Sequence, residues 1–562
     1  MKRLIVECFA LSLMLMAYGQ TSLISIERAN SLSNMADFYY TAGNFDRAIE
    51  LKRQSMDMIS VLFGKGSFEY ASSALAFANY WYSKGRDDIS NSKRLANQSY
   101  ANAIENLQIA IHVINDSILI GYDEMDSGER YILWQQVCPL FDRLLPCYVS
   151  YYQNDSTVST LFNSVLFSKG ITWRDYHKAK RGDWRAIQKK LRSDDLAIEF
   201  ISPVDIEEDN ISFYALVLNS KNNAPQMIKV FDILQLQDSI KCATSKNDKN
   251  LKIGKLIWGS LKNELQGINN IYFSATHVFH NIPIEYLPTD EGGYYCDKYN
   301  MYRLSSTMEL VSNNPKRQYI HAVLYGGLEY DSKSETDSNM KESPHTRAGL
   351  DFLDNTGAEI DEISKLLQAK RIKCKGYTGL LGTEASFKSL SGQSIDILHL
   401  STHGLFQGDN DSSRYVNEDK ALSQSCLAFS GVNNRLTDPL INADNDGIVT
   451  ALDISKMDLK KLDIVCLSAC ESALGTYSDD DGILGLQRGF KKAGANTILM
   501  SLDKVDDEAT KILMVDFYKN LMNGKTKHQS LKDAQKYLRQ VDNGKYDKPE
   551  YWASFIMLDG IN

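Results

Sequence analysis

Two short apolar runs in the second half of the chain constrain its fold more than any other feature. The run at 396–400 continues as Ser-Thr-His403-Gly404, and the run at 463–467 continues as Ser-Ala-Cys470-Glu. A continuous apolar run, without alternation, is typical of a strand buried on both faces of a parallel sheet. Open α/β sheets carry functional side chains at the carboxyl ends of such strands. If the two strands are neighbours, an imidazole and a thiol meet at one edge of the sheet.

The combination of His403 with Cys470 indicates nucleophilic catalysis. A histidine that takes the proton of a nearby thiol produces the thiolate, which is the attacking form of cysteine. Histidine first and cysteine several tens of residues later is the order of caspase-like enzymes. Gly404 has no side chain, so its backbone N–H can face a reacting carbonyl, and with the N–H of Cys470 it would form an oxyanion hole. The sequence identifies no aspartate or asparagine that would orient the histidine.

Two further residues of the same chemical types are interpreted as structural. His399 and Cys466 lie inside the apolar runs, where a packed or hydrogen-bonded side chain is the usual outcome. A metal site built from these two residues with His403 and Cys470 is the alternative, but their spacing matches no zinc motif. We therefore expect neither a metal nor another cofactor.

Both motifs resemble those of the CHAT family of cysteine peptidases, which are relatives of caspases and separase. The resemblance extends over roughly residues 190–562. It implies a caspase-like α/β domain with a mostly parallel sheet, in which His403 and Cys470 are the catalytic dyad. One departure is Asp503, which stands where the family usually has tryptophan. The matching segments are 402–404, 467–471, 481–490, 493–496, 501–510, 534–535 and 551–555, with a weaker match at 279–288.

A second resemblance concerns the substrate pocket. The run at 501–507 is similar to a separase run that ends in Val-Thr-Asp, whose aspartate pairs with a substrate arginine. By that match Asp507 would line the primary substrate-binding pocket and hold a guanidinium through two parallel hydrogen bonds. The alternative is that Asp506 or Asp507 caps the helix that follows, or opposes its dipole.

The first part of the chain has a helical pattern that contains a repeat. Three residues recur 42 positions later: Ala36, Tyr40 and Gly43 recur as Ala78, Tyr82 and Gly85. The pattern resembles tetratricopeptide repeats of a longer kind, and an ordinary helical bundle is the alternative. The alanines would let two helices approach closely, and each glycine is expected at the turn between them. Because an isolated repeat cannot bury its apolar face, residues 120–180 are expected to supply further, degenerate repeats.

The length of 562 residues is too great for one ordinary core. From about residue 195, strand-like runs alternate with helical patterns, which predicts a mostly parallel sheet. The expected fold is multidomain, with N-terminal all-α helical repeats and a C-terminal α/β caspase-like domain. Polar stretches at 330–347 and 407–420 are expected to form loops beside the site. The predicted domains are a signal peptide at 1–19, the repeats at 20–180, a degenerate N-terminal half of the CHAT domain at 181–330 and its catalytic half at 331–562.

The first residues indicate export. A basic start followed by a mostly apolar segment at 4–18 is typical of a secretory signal peptide, and Ala17 and Gly19 supply the small residues that a signal peptidase reads. We therefore expect a periplasmic or secreted protein. An uncleaved anchor or a buried first helix is the alternative, and implies a membrane-anchored or cytoplasmic protein. No other run approaches the ~20 apolar residues of a membrane span, so no integral membrane domain is expected after signal removal.

These features together predict a cysteine endopeptidase that acts on a protein or peptide substrate. The helical repeats are expected to bind a protein partner or regulator. The net charge of −9 argues against a general nucleic-acid surface. Two alternatives remain, namely a catalytically silent scaffold that binds partners and another Cys–His acyl-transfer enzyme such as a ligase or transpeptidase.

Overall fold

The computed structural model describes most of the chain, in several stretches. The predicted signal peptide at 1–19 and Cys470 lie outside the described residues. So do nearly all of the two polar stretches predicted as loops; the described part of the second, 418–420, begins a helix. The described residues are 23–121, 125, 127–171, 183–205, 210–312, 318–331, 349–406, 418–437, 446–468, 475–478 and 482–562.

Helices fill the first part of the chain and then alternate with strands. Among the described residues, no helix is both long enough and apolar enough to cross a bilayer. The described helices are α1 (Leu23–Thr41), α2 (Phe45–Phe63), α3 (Phe68–Asp88), α4 (Lys93–Gly121), α5 (Ser127–Pro139), α6 (Leu145–Tyr151), α7 (Asp155–Ile171), α8 (Trp184–Gln188), α9 (Ile233–Lys241), α10 (Lys246–Gly259), α11 (Tyr295–Lys298), α12 (Asp354–Ala369), α13 (Glu384–Lys388), α14 (Glu418–Ser423), α15 (Val432–Thr437), α16 (Ala451–Ser455), α17 (Leu486–Ala493), α18 (Asp507–Met522), α19 (Lys527–Leu538) and α20 (Pro549–Trp552).

The described chain forms two compact units, and strands occur in both. Of the described residues, those within 1–168 and 201–238 form the first unit, and those within 169–200 and 239–562 form the second. The strands are β1 (Asp195–Ile201), β2 (Val204–Asp205), β3 (Asn210–Asn219), β4 (Gln226–Asp232), β5 (Asn270–Ser274), β6 (Asn300–Leu304), β7 (His321–Leu328), β8 (Lys373–Gly379), β9 (Ile397–Leu400), β10 (Gly404–Phe406), β11 (Ser425–Ala428), β12 (Ile448–Thr450), β13 (Ile464–Leu467), β14 (Gly475–Ser478), β15 (Gly482–Gly485), β16 (Thr497–Ser501) and β17 (Phe555–Leu558).

The first unit begins with helices that pack on their sequence neighbours, α1 on α2, α2 on α3 and α3 on α4. Packing between consecutive helices is the arrangement of helical repeats. Ala36 and Ala78 are fully buried, as expected for helices in close approach. Gly43 lies in the turn between α1 and α2 with a φ of 76°, as predicted.

The prediction that Gly85 also lies at a turn is wrong. Gly85 is inside α3, where a Cβ atom would lie 2.6 Å from the ring of Tyr100. Its missing side chain therefore makes room for a buried aromatic ring of the next helix. The repeated aromatic positions are inter-helix contacts: Tyr40 stacks on Tyr80 at 4.6 Å, and Tyr82 stacks on Tyr148 at 4.4 Å.

The second unit is built on a mostly parallel sheet, as the sequence predicts. Its strands run in the order β1-β5-β6-β17-β16-β13-β9-β7-β8. Neighbouring strands are parallel except at β16 and β17, which are antiparallel. The alternation of strands and helices that the sequence predicts from about residue 195 is confirmed.

The two motif strands, β9 and β13, lie side by side inside this sheet, between β16 and β7. Leu400 is opposite Leu467, so the two strands end level with each other. Alternate side chains enter the two core layers. Leu398 and Val465 pack in the layer that contains residues of α16 and α17, whereas Ile397 and Ile464 pack in the layer that contains residues of α12, α18 and α19. All of these strand residues are fully buried, which explains why the runs are apolar throughout.

Gly326 of β7 lets α12 lie unusually close to the sheet. A Cβ atom at this position would be 2.6 Å from the carbonyl oxygen of Thr356 and 2.9 Å from Cγ2 of Ile360. The next residue, Gly327, donates its N–H to Oγ1 of Thr356 at 2.9 Å. Close approach and a hydrogen bond therefore fix the first turns of α12 against the end of the strand.

We expect Gly326→Ala to lower the free energy of unfolding by about 1–3 kcal/mol, because the added methyl group meets backbone atoms that have no room to move. The control is Gly376→Ala in β8, where nothing lies within 4 Å of the added Cβ. It should change stability by less than about 0.5 kcal/mol. Urea-induced unfolding of the full-length protein measures both, and equal midpoints for the two variants would contradict the close-packing account.

Candidate active site

A pocket opens at the carboxyl ends of β9 and β13. It lies between the residues that follow these strands and the first turns of α12 and α18. Open α/β sheets have their sites at this edge, where strand ends leave a crevice. The lining residues are Leu353, Thr356, Glu359, Ser401, Thr402, His403, Ser468, Val505, Asp507 and Thr510.

The imidazole of His403 is held by a backbone carbonyl. Its Nε2 atom lies 2.7 Å from the carbonyl oxygen of Asp351. A carbonyl oxygen only accepts hydrogen bonds, so Nε2 carries the proton and Nδ1 of the neutral ring is the accepting nitrogen. Sequence reasoning found no residue to orient His403, because a main-chain carbonyl can come from any residue type.

The backbone around His403 is fixed by hydrogen bonds to β11. The N–H of Ala428 donates to the carbonyl oxygen of His403 at 2.9 Å, and the hydroxyl of Thr402 donates to the carbonyl oxygen of Ala428 at 2.5 Å. The Tyr330 hydroxyl lies 2.9 Å from the Thr402 hydroxyl, and the Tyr330 ring lies 5.0 Å from the imidazole. Burial raises the pKa of Tyr330 to about 12, which keeps its hydroxyl neutral.

The predicted oxyanion-hole residues are only partly described. Gly404 begins β10 and lies opposite Leu427 of β11; it is not among the residues that line the pocket. Cys470 lies outside the described residues. The described chain reaches Ser468, whose N–H donates to the carbonyl oxygen of Leu400 at 2.9 Å and so continues the pairing of β13 with β9.

Asp506 and Asp507 have different environments. The Asp506 carboxylate accepts a hydrogen bond from the N–H of Ala509 at 2.9 Å and caps α18. Asp507, half-buried, lines the pocket together with His403. Burial, and then the nearby charges of Asp506 and Glu359, raise the pKa of Asp507 above its ordinary value, although His403 opposes the shift. The capping role considered for both residues therefore belongs to Asp506.

Asp503, the departure from the family pattern, is a surface residue. Its carboxylate lies 3.5 Å from the ammonium group of Lys246, and both side chains are more than half exposed. An exposed pair of this kind contributes little to stability. Asp503 is not among the residues that line the pocket.

A buried carboxylate, that of Glu359, is among the groups that line the pocket. Its side chain is within 2.9 Å of Nε2 of His399 and accepts a hydrogen bond from the Ser401 hydroxyl at 2.9 Å. Tyr518 lies 3.4 Å from Nδ1 of His399 and donates to Sγ of Cys466 at 3.2 Å. His399 and Cys466 are fully buried, as predicted, and burial raises the pKa of the Cys466 thiol to about 12.

Sequence reasoning missed Glu359, although a signal was present. Glu359 shares the inward face of α12 with Thr356 and Ile363, and a carboxylate on an apolar helix face needs buried partners. Those partners are His399 and Ser401 of the motif strand. Within the described ranges, no group of three or more His, Cys, Asp or Glu side chains is arranged to hold a metal ion.

The fold and this pocket define an α/β domain with a histidine just after the end of an internal parallel strand. The family model of the CHAT domain matches residues 251–560, which is more than half of the chain. The chain therefore belongs to the CHAT domain family. The resemblance inferred from the two motifs is confirmed.

The curated relatives share a short segment with this chain. Tetratricopeptide repeat protein 28 of Mus musculus is 32% identical over 111 residues, which are 20% of this chain and 4% of that protein. The Homo sapiens protein of the same name is 31% identical over 111 residues, with the same coverage. The chain thus spans only a small part of the length of these relatives.

Two solved structures resemble the chain distantly. The separase of Saccharomyces cerevisiae, in its complex with securin, has a TM-score of 0.47 and 9% identity, over 94% of this chain and 44% of that one. RgpB of Porphyromonas gingivalis, in a complex of its pro- and mature domains, has a TM-score of 0.33 and 9% identity, over 57% of this chain and 70% of that one. The family assignment rests on the family model.

We expect Glu359→Ala to lower the free energy of unfolding by about 3 kcal/mol, because it leaves two buried polar groups without their acceptor. The matched control is Glu362→Ala on the same helix, which removes a partly exposed pair with Lys511 and should cost less than about 1 kcal/mol. Urea denaturation of the full-length protein compares them. A Glu359→Ala variant as stable as the control would show that the buried network contributes nothing.

Proposed function

We propose that this protein is a cysteine endopeptidase in which His403 is the general base and Cys470 is the nucleophile. The observation that carries the proposal is the hydrogen bond from Nε2 of His403 to the Asp351 carbonyl oxygen, 2.7 Å long, in a pocket at a strand end. It leaves Nδ1 to accept a proton. The adjacent, level strand β13 ends three residues before Cys470, and His403 follows β9 by the same interval, which supports a meeting of the two side chains.

The reaction begins with proton transfer from the thiol of Cys470 to Nδ1 of His403. The thiolate attacks the scissile carbonyl carbon, an S–C bond forms, and the carbonyl electron pair becomes an oxyanion held by the N–H groups of Gly404 and Cys470. The intermediate collapses, the C–N bond breaks, and the leaving amine takes the proton from His403. A water molecule, deprotonated by His403, then breaks the S–C bond and releases the acid, and the thiol regains its proton.

The Asp351 carbonyl assists this cycle electrostatically. When His403 becomes an imidazolium, both ring nitrogens carry protons, and Nε2–H continues to donate to the carbonyl oxygen. A hydrogen bond from a charged donor is stronger than one from a neutral donor. The same contact therefore selects the useful tautomer before proton transfer and stabilises the charged ring after it.

We expect Cys470→Ala and His403→Ala each to remove at least about 10³-fold of kcat/KM, because residues that act as a unit are lost together. New amino termini that appear in a mixture of folded proteins, treated with wild type or variant, measure the activity. The matched controls are Cys242→Ala and His112→Ala, which replace exposed residues of the same types and should leave activity unchanged.

Near-wild-type cleavage by Cys470→Ala would overturn the assignment. Products joined to an added amine nucleophile, in place of hydrolysed products, would instead identify a ligase or transpeptidase with the same acyl-enzyme chemistry. A protein with no Cys470-dependent turnover of any kind would be a partner-binding scaffold.

Asp507 gives the proposed peptidase a preference for a basic residue before the cut. Its carboxylate lines the same pocket as His403, and a guanidinium can bind it through two parallel hydrogen bonds. A preference for arginine over lysine is expected, because an ammonium group does not match the fork of the carboxylate. Glu359, deeper in the pocket, adds to the negative field.

We expect Asp507→Asn to lower kcat/KM for an arginine substrate by roughly 10–100-fold, which corresponds to loss of a partly buried charge pair. Asp503→Asn, on the exposed surface nearby, is the control and should have no effect.

The ratio of kcat/KM for an arginine substrate to kcat/KM for a substrate with a neutral residue should fall with decreasing pH. Because the pKa of Asp507 is raised, this fall should begin above the pH at which an ordinary aspartate is protonated, and Asp507→Asn should abolish it. A preference for apolar residues, or an arginine preference that survives the substitution, would refute the role of Asp507.

The remaining parts of the chain complete the proposal. The helical repeats of the first unit bind a protein partner or regulator, consistent with the consecutive packing of α1 to α4. The segment at 181–330 is a degenerate half that supports the catalytic half at 331–562. Residues 1–19 direct export to the periplasm or the exterior.

A further inference from the structure

Asn433, near the start of α15, is hydrogen-bonded to two segments that lie far from it in the sequence, one at residues 330–331 and one at Leu350. Its side chain is 6% exposed. The amide oxygen accepts a hydrogen bond from the N–H of Leu350 at 2.7 Å, and the amide nitrogen donates to the carbonyl oxygen of the same residue at 3.1 Å. The amide nitrogen also donates to Oδ1 of Asp331 at 3.0 Å, and the backbone N–H donates to the carbonyl oxygen of Tyr330 at 3.0 Å.

Both of these segments touch His403. The residue after Leu350, Asp351, supplies the carbonyl oxygen that accepts from Nε2 of the imidazole. On the other segment, the ring of Tyr330 lies 5.0 Å from the imidazole, tilted by 55°. Asn433 is therefore hydrogen-bonded to the main chain of both segments that contact His403.

The fit between Asn433 and the Leu350 segment is tight. A Cβ atom on Gly349 would lie 3.1 Å from Cγ of Asn433 and 3.2 Å from each of its terminal atoms. Glycine at 349 thus allows the backbone to approach the amide closely enough for both hydrogen bonds to Leu350. The two contacts together define both the position and the direction of the peptide that precedes Asp351.

We propose that Asn433 is a positioning residue, which holds the Asp351 carbonyl where it selects the Nε2–H tautomer of His403. The inference rests on the proposed role of His403 as the general base. Without a fixed acceptor at Nε2, the neutral ring would distribute its proton between both nitrogens, and the fraction with the proton on Nδ1 would be unable to accept from a thiol. In serine proteases an aspartate performs the same service for the catalytic histidine. Here a side-chain amide acts through a main-chain carbonyl.

The test uses full-length protein labelled with ¹⁵N in the histidine rings, and assigns the His403 signals by comparison with His403→Gln. In the wild type above the pH of imidazole titration, we expect Nε2 to be protonated and Nδ1 unprotonated. Asn433→Ala should convert this spectrum to a mixture of tautomers. Gly349→Ala, which crowds the same amide from the other side, should have the same effect. The matched control is Asn434→Ala, the next residue of α15, which should keep the wild-type spectrum.

Kinetics supply a second readout. Asn433→Ala should lower kcat for a cleaved peptide about 10–100-fold while KM changes less than about twofold, because the binding pocket is intact and only the orientation of the base is lost. A purely structural role would lower the denaturation midpoint and leave both the tautomer and kcat of the folded protein unchanged. That result, in Asn433→Ala or in Gly349→Ala, would overturn the inference.

Failure of the proposed function gives a different result. If hydrolysis does not depend on Cys470, the peptidase proposal is wrong, yet the ring spectra of the same variants still decide whether Asn433 controls the His403 tautomer. A wild-type His403 with its proton on Nδ1 would refute the positioning role, whatever the activity of the protein.

Discussion

The parallel pairing of β9 with β13 is the constraint on which the site depends. Because Leu400 lies opposite Leu467, the segments that follow the two strands start from the same level of the sheet. Both strands are buried on both faces, so their positions are fixed by packing in two directions. A shift of register by one residue would turn every apolar side chain of a strand to the opposite layer and carry the functional side chains with it.

Buried polar groups at the pocket fix two helices, α12 and α18, against the motif strand β9. The carboxylate of Glu359 ties α12 to the motif strand through His399 and Ser401, and Tyr518 ties α18 to the same strand. These hydrogen bonds join fully buried groups. Because a buried polar group without a partner is costly, the side chains must keep the positions in which the bonds form. The helix that brings Asp507 to the pocket is thus anchored to the strand that carries His403.

The sequence predicts the elements more completely than the contacts between them. Apolar runs predicted β9 and β13, and the burial of His399 and Cys466 followed from their positions within those runs. The acceptor of Nε2 on His403 was beyond prediction, because a carbonyl at Asp351 has no side-chain signature. Asp506 and Asp507 are adjacent, and the sequence does not determine which of them immediately precedes the first helical residue. Only the three-dimensional geometry shows that Asp506 is the helix cap. The prediction for Gly85 fails for a similar reason, since glycine is used both at turns and at close helix contacts.

The pH dependence of alkylation at Cys470 tests the central claim, that His403 takes the proton of the Cys470 thiol, without knowledge of the substrate. Iodoacetamide reacts with the thiolate, and mass spectrometry of the Cys470 peptide separates its rate from that of the exposed Cys242 in the same sample. In the wild type the rate should already be substantial well below the ordinary thiol pKa of about 8.5, whereas in His403→Ala it should rise only near that value. Superimposable profiles for the two proteins would contradict the account, because they would show that His403 does not act on the thiol.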